Sequence, residues 1–256
     1  MMDWLPIIAI FVIGALVGSF LNVLIYRLPR EESILSPRSH CLHCKTIIPW
    51  YRNIPLVSFI LQRGKCSACD ASISWQYPVV EAITGFVWAV CFAVFVPLQA
   101  GLTAMFTSVL ITLAWIDLKT MMIPLSLIMT GLAFIVLSVI SGILEWQFVI
   151  WGALAGVFIP LMMMGMTFLM TRRQGMGWGD IQLGLILGAW LGPWSMMLTL
   201  FLAALLGIIA WIGISLKNGF DRDRPLPFAP YLVISAMVML FMGSYVGFWF
   251  DKFLLL

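Results

Sequence analysis

Charged residues are scarce in this chain. Of its 256 residues, 10% are charged and 62% are hydrophobic, and the mean hydropathy is +1.07. So few charges exclude a soluble domain of this size. They predict a polytopic membrane protein that is embedded in the lipid bilayer. The net charge is only +3, so no nucleic-acid partner is indicated.

Several other signals are missing. No basic segment or small-residue cleavage site flanks the first apolar stretch, so residues 5–26 are expected to remain as a membrane span. No repeat and no glycine-rich dinucleotide fingerprint is present. The two histidines, His40 and His43, both lie in one polar loop. The chain therefore offers no nucleophile–histidine pair for catalysis in its apolar part.

Apolar segments fill most of the chain. Their approximate bounds are 5–26, 78–98, 103–117, 122–143, 148–170, 180–191, 194–216 and 228–250. Lipid offers no partners to backbone groups, so each segment is predicted to be helical and the fold all-α, with about eight transmembrane segments. The segment 180–191 spans only about 17 Å, roughly half of a hydrocarbon core, and is either a short crossing helix or a re-entrant one.

The basic residues indicate the orientation. With the N-terminus outside, every Lys and Arg except Lys252 falls on the cytoplasmic side, and seven of them lie in the loop 27–77. The predicted outer turns 97–102, 144–147 and 192–194 contain none. If segment 180–191 did not cross, the basic loop 217–227 would lie outside. The charge pattern therefore favours crossing.

Four of the five cysteines form two C-x-x-C pairs in the loop 27–77, separated by 21 residues. They are Cys41, Cys44, Cys66 and Cys69. Disulfides are disfavoured on the cytoplasmic side, whereas four thiolates complete a tetrahedral zinc site. We therefore predict a structural Zn²⁺ that binds both cysteine pairs and so holds the loop folded. The alternative is that the four thiols are reduced, without metal, in an unstructured loop. Cys91 is predicted to be a small buried hydrophobe.

A glycine-rich stretch precedes the sixth apolar segment. Gly175, Gly177 and Gly179 leave the backbone with little bulk, so another peptide could approach it closely. Asp180 then opens the apolar run, and Asp117 ends the third span. In the predicted topology both aspartates lie at the cytoplasmic ends of their helices, at similar depth, as they must if they are to meet.

Two carboxylates held a few ångströms apart share a proton. The ionised one can activate water, and the protonated one can donate to a peptide carbonyl, which is the chemistry of an aspartic protease. Each residue also has a structural alternative: Asp180 as a helix N-cap, and Asp117 as an interfacial residue paired with Lys119. Two other functions use the same features: a proton-coupled transporter with these carboxylates, and a non-enzymatic assembly scaffold.

The sequence closely resembles the type IV prepilin peptidases, bifunctional membrane aspartic proteases of the G-x-G-D class. The resemblance covers nearly the whole chain. Besides the two cysteine pairs, the matching stretches are 18–23 (GSFLNV), 26–29 (YRLP), 50–55 (WYRNIP), 63–66 (RGKC), 77–81 (YPVVE), 116–117 (ID), 123–124 (IP), 175–180 (GMGWGD) and 188–192 (GAWLG).

The resemblance implies cleavage of a short basic leader from prepilins and pseudopilins, after a glycine, at the cytoplasmic face of the bacterial inner membrane. It also implies N-methylation of the new N-terminal residue with S-adenosylmethionine. Asp117 and Asp180 would be the catalytic pair within a peptidase core, 103–256, and residues 1–98 with the zinc loop would serve methylation.

The methyl-transfer residues carry no motif of their own. Glu81 and Asn22 are polar groups in or at membrane spans and are candidates for that role. Their structural alternatives are helix-end solvation for Glu81 and interhelical hydrogen bonding for Asn22. The residues indicate neither the oligomeric state nor whether pilus or type II secretion precursors are cut.

Three positions depart from the family pattern. Gln182 stands where a lysine is common, Leu125 where Asp or Asn is common, and Ala229 replaces the glycine of a late Pro-Phe-Gly-Pro motif. The first two remove polar or charged neighbours from the region of the aspartates.

Overall fold

The computed structural model describes residues 4–172, 177–221 and 225–254, with side chains described as far as residue 242. The helices are α1 (Trp4–Arg27), α2 (Val57–Leu61), α3 (Gln76–Val94), α4 (Pro97–Thr120), α5 (Leu125–Ile140), α6 (Trp146–Thr171), α7 (Trp178–Asn218) and α8 (Ala229–Leu254). The described residues contain no β-strand, only two isolated bridges in the loop. The all-α prediction is confirmed.

Among the described residues, five helices, namely α1, α3, α4, α6 and α7, are long and apolar enough to cross a membrane. Shorter are α5 and the part of α8 whose side chains are described, Ala229–Met242. Large apolar side chains on them are exposed, among them Leu5, Phe158 and Ile209. Such surfaces are unfavourable in water and suit contact with lipid. The chain is a membrane protein, and the count of eight crossings remains a prediction.

Two predicted boundaries differ from the structure. Residues 97–102, expected to be an outer turn, form the start of α4, because Pro97 fits the first helical position, where its missing N–H costs no bond. Segments 180–191 and 194–216 both lie in α7, as two helical parts separated at Gly192 (φ 79°, ψ 171°), directly before Pro193. Only glycine adopts that conformation readily, so the break falls within the predicted turn 192–194 but takes one residue instead of three.

The chain divides into two compact units, residues 1–112 and 113–256. In the first unit α1 packs closely along α3. A Cβ added to Gly14 would lie 2.7 Å from the Cβ of Trp88, and one on Gly18 would lie 2.8 Å from the Cα of Glu81. The indole Nε1 of Trp88 donates to Ser108 Oγ at 3.0 Å. Small residues thus bring the two helix backbones together.

In the second unit, α7 packs against α5, α6 and α8. The contact of α6 with α7 is made by glycines on both helices. A Cβ on Gly156 would lie 2.8 Å from the carbonyl carbon of Gly184, and one on Gly188 would lie 2.9 Å from the Cα of Gly156. This close contact holds α7, and hence the segment that carries Asp180, against α6.

Candidate functional site

Asp117 lies near the end of α4 and is 6% exposed. Its Oδ2 accepts a hydrogen bond of 3.0 Å from the backbone N–H of Ala229, the first residue of α8. The first N–H groups of a helix have no partner within the helix and carry partial positive charge. The N-terminus of α8 therefore both fixes the Asp117 carboxylate and favours its negative charge.

Asp180 is the third residue of α7 and is partly exposed. Its Oδ2 accepts a hydrogen bond of 3.1 Å from the backbone N–H of Gly177. This is the contact that the third helical residue makes in a capping box, so Asp180 does contribute to capping, although Gly177 is the N-cap residue. The capping contact fixes the carboxylate at the mouth of the helix.

The two carboxylates belong to the same unit and lie within range of a direct charge–charge interaction. Each is fixed by one backbone N–H, from Ala229 and from Gly177. A pair of carboxyl groups held in this way can work as a general base and a general acid without a metal.

The three glycines before Asp180 differ in their surroundings. Gly175 lies outside the described residues. Gly177 is exposed, and a Cβ there would meet only Asp180 Oδ2, at 3.4 Å, and the backbone N of Gly179, at 4.0 Å. At Gly179 a Cβ would lie 2.8 Å from the Cβ of Ile123, so this glycine permits close packing of the chain before α5. Substrate approach along these glycines remains a prediction.

The structure brings the four loop cysteines together. The Sγ atoms of Cys41, Cys44, Cys66 and Cys69 lie within 4.8 Å of one another, and those of Cys41 and Cys69 are 3.9 Å apart. Tetrahedral zinc with Zn–S bonds of about 2.3 Å places its sulfur ligands roughly 3.8 Å apart. The cluster could therefore hold zinc with four thiolates and needs no histidine.

Each cysteine pair lies in the same kind of turn. Cys41 donates its N–H to the carbonyl of Thr46 at 2.9 Å, and Cys66 donates to that of Ala71 at 2.8 Å. Hydrogen bonding to Thr46 lowers the pKa of the Cys44 thiol to about 6. Backbone hydrogen bonds from Ala68 and Cys69 lower the pKa of Cys66. The turns thus favour the thiolate, the form that binds metal, at Cys44 and Cys66. At Cys69 the backbone hydrogen bond from Ala71 also lowers the pKa, but burial and the three neighbouring cysteines raise it to about 12.

Glu81 and Asn22 both lie in the first unit and line a cavity of about 540 Å³. Glu81 is 6% exposed, and its Oε2 accepts a hydrogen bond of 2.8 Å from the N–H of Leu56 in the loop. Asn22 is 2% exposed and donates from Nδ2 to the carbonyl of Tyr77 at 3.2 Å. Glu81 is therefore buried, not solvated at a helix end. The bond from Asn22 joins α1 to α3, so Asn22 makes the interhelical hydrogen bond that was its structural alternative.

Sequence reasoning assigned no role to Arg27, Leu56 or Ala229. Arg27 is 6% exposed, and its guanidinium donates to the carbonyls of Ser33, Ile34 and Pro37. It thereby ties the start of the loop to the end of α1. Arg27 lies in the quoted stretch 26–29, and Ala229 lies in the late stretch 227–230, so a motif marked each of these two positions. That the N–H groups of Leu56 and Ala229 donate to carboxylates has no sequence signal, because any non-proline residue carries an N–H.

Two family descriptions match consecutive parts of the chain. Residues 12–95 match the family described as Bacterial Peptidase A24 N-terminal domain, and residues 104–212 match the Type IV leader peptidase family. No solved structure matches the chain significantly.

Curated relatives match over nearly the full length. A protein of Aeromonas hydrophila called Prepilin leader peptidase/N-methyltransferase is 33% identical over 97% of this chain and 95% of its own length. Proteins of the same name from Dichelobacter nodosus and Neisseria gonorrhoeae are 34% and 33% identical, covering 96% and 89% of this chain and 96% and 87% of their own lengths.

The long apolar helices and the pair of fixed carboxylates at their ends define a helical membrane protein with the groups of an aspartic protease. The N-terminal domain model and the peptidase model match consecutive parts of the chain, and the relatives match it over nearly its full length. The chain therefore belongs to the type IV leader peptidase family.

Proposed function

We propose that this protein is a prepilin leader peptidase and N-methyltransferase. It cuts the short basic leader from type IV prepilins and pseudopilins, after a glycine, and methylates the new N-terminal amine. The observation that carries the peptidase assignment is the interacting pair Asp117 and Asp180, each held by a backbone N–H. The names of the full-length relatives support both activities.

The two carboxyl groups divide the work of hydrolysis. The ionised one takes a proton from water while the water oxygen attacks the scissile carbonyl carbon, and the protonated one gives its proton to the carbonyl oxygen. The tetrahedral intermediate then collapses: its C–N bond breaks, and the proton first taken from water goes to the leaving nitrogen. As the C=O bond forms again, one hydroxyl of the intermediate returns its proton to the other carboxylate, which restores the pair. This yields the leader's carboxyl terminus and the free amine that is methylated next.

The zinc loop serves methylation in this proposal. Zn²⁺ bound by the four cysteines has no open position for substrate, so its role is to hold the loop. S-adenosylmethionine would supply the methyl group when bound. Residues 1–98, including the loop, form the methylating part, and residues 103–256 form the peptidase core.

The active site and the loop face the cytoplasm in the bacterial inner membrane. The distribution of basic residues supports this orientation, since all but Lys252 fall on one side of the predicted topology. Precursors are made in the cytoplasm, so their leaders would reach the aspartates from that side.

An assay with purified protein and a synthetic precursor tests the proposal. Asp117→Asn and Asp180→Asn should each abolish cleavage while the protein stays in the membrane, because loss of either carboxyl removes the base or the acid. Asp221→Asn, in the exposed loop before α8, is the matched control and should cleave normally.

Near-normal turnover by either active-site variant would show that the pair is wrongly assigned. The same assay separates the rival functions. A proton-coupled transporter that uses these carboxylates, or a non-enzymatic scaffold, would leave the precursor intact even in the unsubstituted protein.

A further inference from the structure

The cavity in the first unit has the properties of a ligand site that the peptidase chemistry does not use. Its volume is about 540 Å³, within the range of roughly 300–1,000 Å³ typical of small-molecule sites. Its walls come from α1, α3 and the loop that carries the cysteines, and they include Ser19, Tyr26, Phe59 and Tyr77. Such a mixture of apolar and aromatic walls with a few polar groups suits an amphipathic small molecule.

Glu81 places a carboxylate in this cavity. One oxygen accepts the N–H of Leu56, and the Ser19 side chain also hydrogen-bonds to the carboxylate. Among the residues that the structure describes, no lysine or arginine pairs with it. A carboxylate that is 6% exposed is costly without a positive partner, so a cationic ligand would bind here favourably.

Both arginines that line the cavity, Arg27 and Arg52, are engaged elsewhere. Arg27 donates from Nη1 and Nη2 to backbone carbonyls of the loop, at 2.6–3.1 Å. Arg52 donates to the hydroxyl of Ser67. Neither guanidinium neutralises Glu81, which leaves the charge of that carboxylate available to a ligand.

Asn22 has a different part. Its Nδ2 donates to the carbonyls of Gly18 and Tyr77, and its Oδ1 accepts from Gln76 Nε2 at 3.0 Å. These bonds join α1 to α3 at the cavity wall. Asn22 is therefore a positioning residue for the wall, whereas Glu81 is the group that would touch the ligand.

We propose that this cavity binds S-adenosylmethionine and that the Glu81 carboxylate pairs with the positive charge of the donor. The inference rests on the proposed methyltransferase function and names the site of that activity. S-adenosylmethionine fits because it joins a sulfonium and an ammonium group to an aromatic base, which matches a buried carboxylate beside tyrosine rings. Cys41 and Cys66 lie in the cavity wall, so zinc bound by the four cysteines would also hold this wall in place.

Direct binding of radiolabelled S-adenosylmethionine to the purified full-length protein, measured by equilibrium dialysis, tests the site without relying on turnover. Glu81→Gln removes the charge but keeps an oxygen that can accept the Leu56 N–H. It should weaken binding at least tenfold, with zinc content and precursor cleavage unchanged. Glu32→Gln, an exposed acidic residue of the same loop, is the matched control and should bind normally.

Val23→Trp provides a second test that leaves Glu81 in place. Val23 lines the cavity, and the larger ring should fill part of it and prevent binding. If Glu81→Gln loses zinc and its loop becomes disordered, the result for Val23→Trp alone tests whether the cavity binds the donor. Donor binding equal to that of the unsubstituted protein in Val23→Trp, or in a zinc-loaded Glu81→Gln, would overturn the proposal.

Measurements of donor binding and of methylation distinguish an error in the proposed binding site from an error in the proposed methyltransferase function. If the unsubstituted protein methylates a pre-cut peptide while both variants bind the donor normally, only the site is wrong. If the unsubstituted protein cuts the precursor but neither binds the donor nor methylates, the methyltransferase half of the proposed function is wrong, and this inference fails with it.

Discussion

The backbone N–H of Ala229 donates to Asp117 Oδ2 at 3.0 Å, across 112 positions of sequence. The bond is buried and joins the start of α8 to the end of α4. An N–H at a helix start favours the ionised carboxylate, which is the form required of a general base. This contact suggests a function for the stretch 227–230, where the protein has Ala229 in place of the family's common glycine.

Ala229→Pro tests this contact because proline removes the N–H yet fits the first position of a helix. A hydrogen bond to a charged group contributes about 1.5–3 kcal/mol, so cleavage should slow by roughly 10- to 150-fold. The initial rate of precursor cleavage measures the effect. Ala229→Gly keeps the N–H and should cleave at close to the normal rate; an equal rate in the proline variant would contradict the role.

The zinc loop and the peptidase core should be separable. Replacing Cys41 and Cys44 by Ser removes two of the four thiolates, so the loop should lose zinc and its order. The helices keep their own backbone bonds and packing, so precursor should be cut, somewhat slowly, but poorly methylated. Mass spectrometry of the mature N-terminus, together with zinc analysis, measures both results.

Cys91→Ala is the control for that experiment, because Cys91 lies in α3 outside the cluster. It should keep zinc and both activities. Full methylation by the zinc-free double variant would contradict the division of labour, as would complete loss of cleavage with the helices intact.

The close contact between the glycines of α6 and α7 should contribute to the free energy of unfolding. Gly156→Ala would place a Cβ against the Gly184 backbone, where no side chain can give way, and should lower the free energy of unfolding by about 1–3 kcal/mol. Gly165→Ala on the same helix meets nothing within 4 Å and should leave stability unchanged or slightly raised. Denaturant titration in detergent micelles compares the two; equal stability would show that the close contact is not needed.

Topology can be tested by labelling single cysteines from the periplasm in a background without native thiols. Positions near Gln99 and Glu145 should react, and positions near Arg52, Arg172 and Lys217 should not. Reaction at Lys217, at the end of α7, would mean that the arm of α7 before Gly192 does not cross. The extent of modification in intact cells and in permeabilised cells gives the comparison.

Much of this protein follows from local sequence alone. Long apolar runs determine helices because lipid leaves the backbone no other partners, and the helices α1, α3 and α6 lie close to their predicted bounds. The cysteine cluster was predictable too, because each C-x-x-C turn forms from neighbouring residues. The aspartates could be singled out because a carboxylate beside an apolar run is costly and therefore conspicuous.

The tertiary structure decided which groups meet. The hydrogen bonds from Ala229 to Asp117 and from Leu56 to Glu81 come from backbone N–H groups, which every non-proline residue has and which therefore leave no trace in a sequence. The sequence also does not show that Gly192 packs against Phe148, where no Cβ fits, or that α6 and α7 make their close contact. Residue types report local preference, whereas these contacts depend on how distant helices pack, and packing is decided by the whole chain.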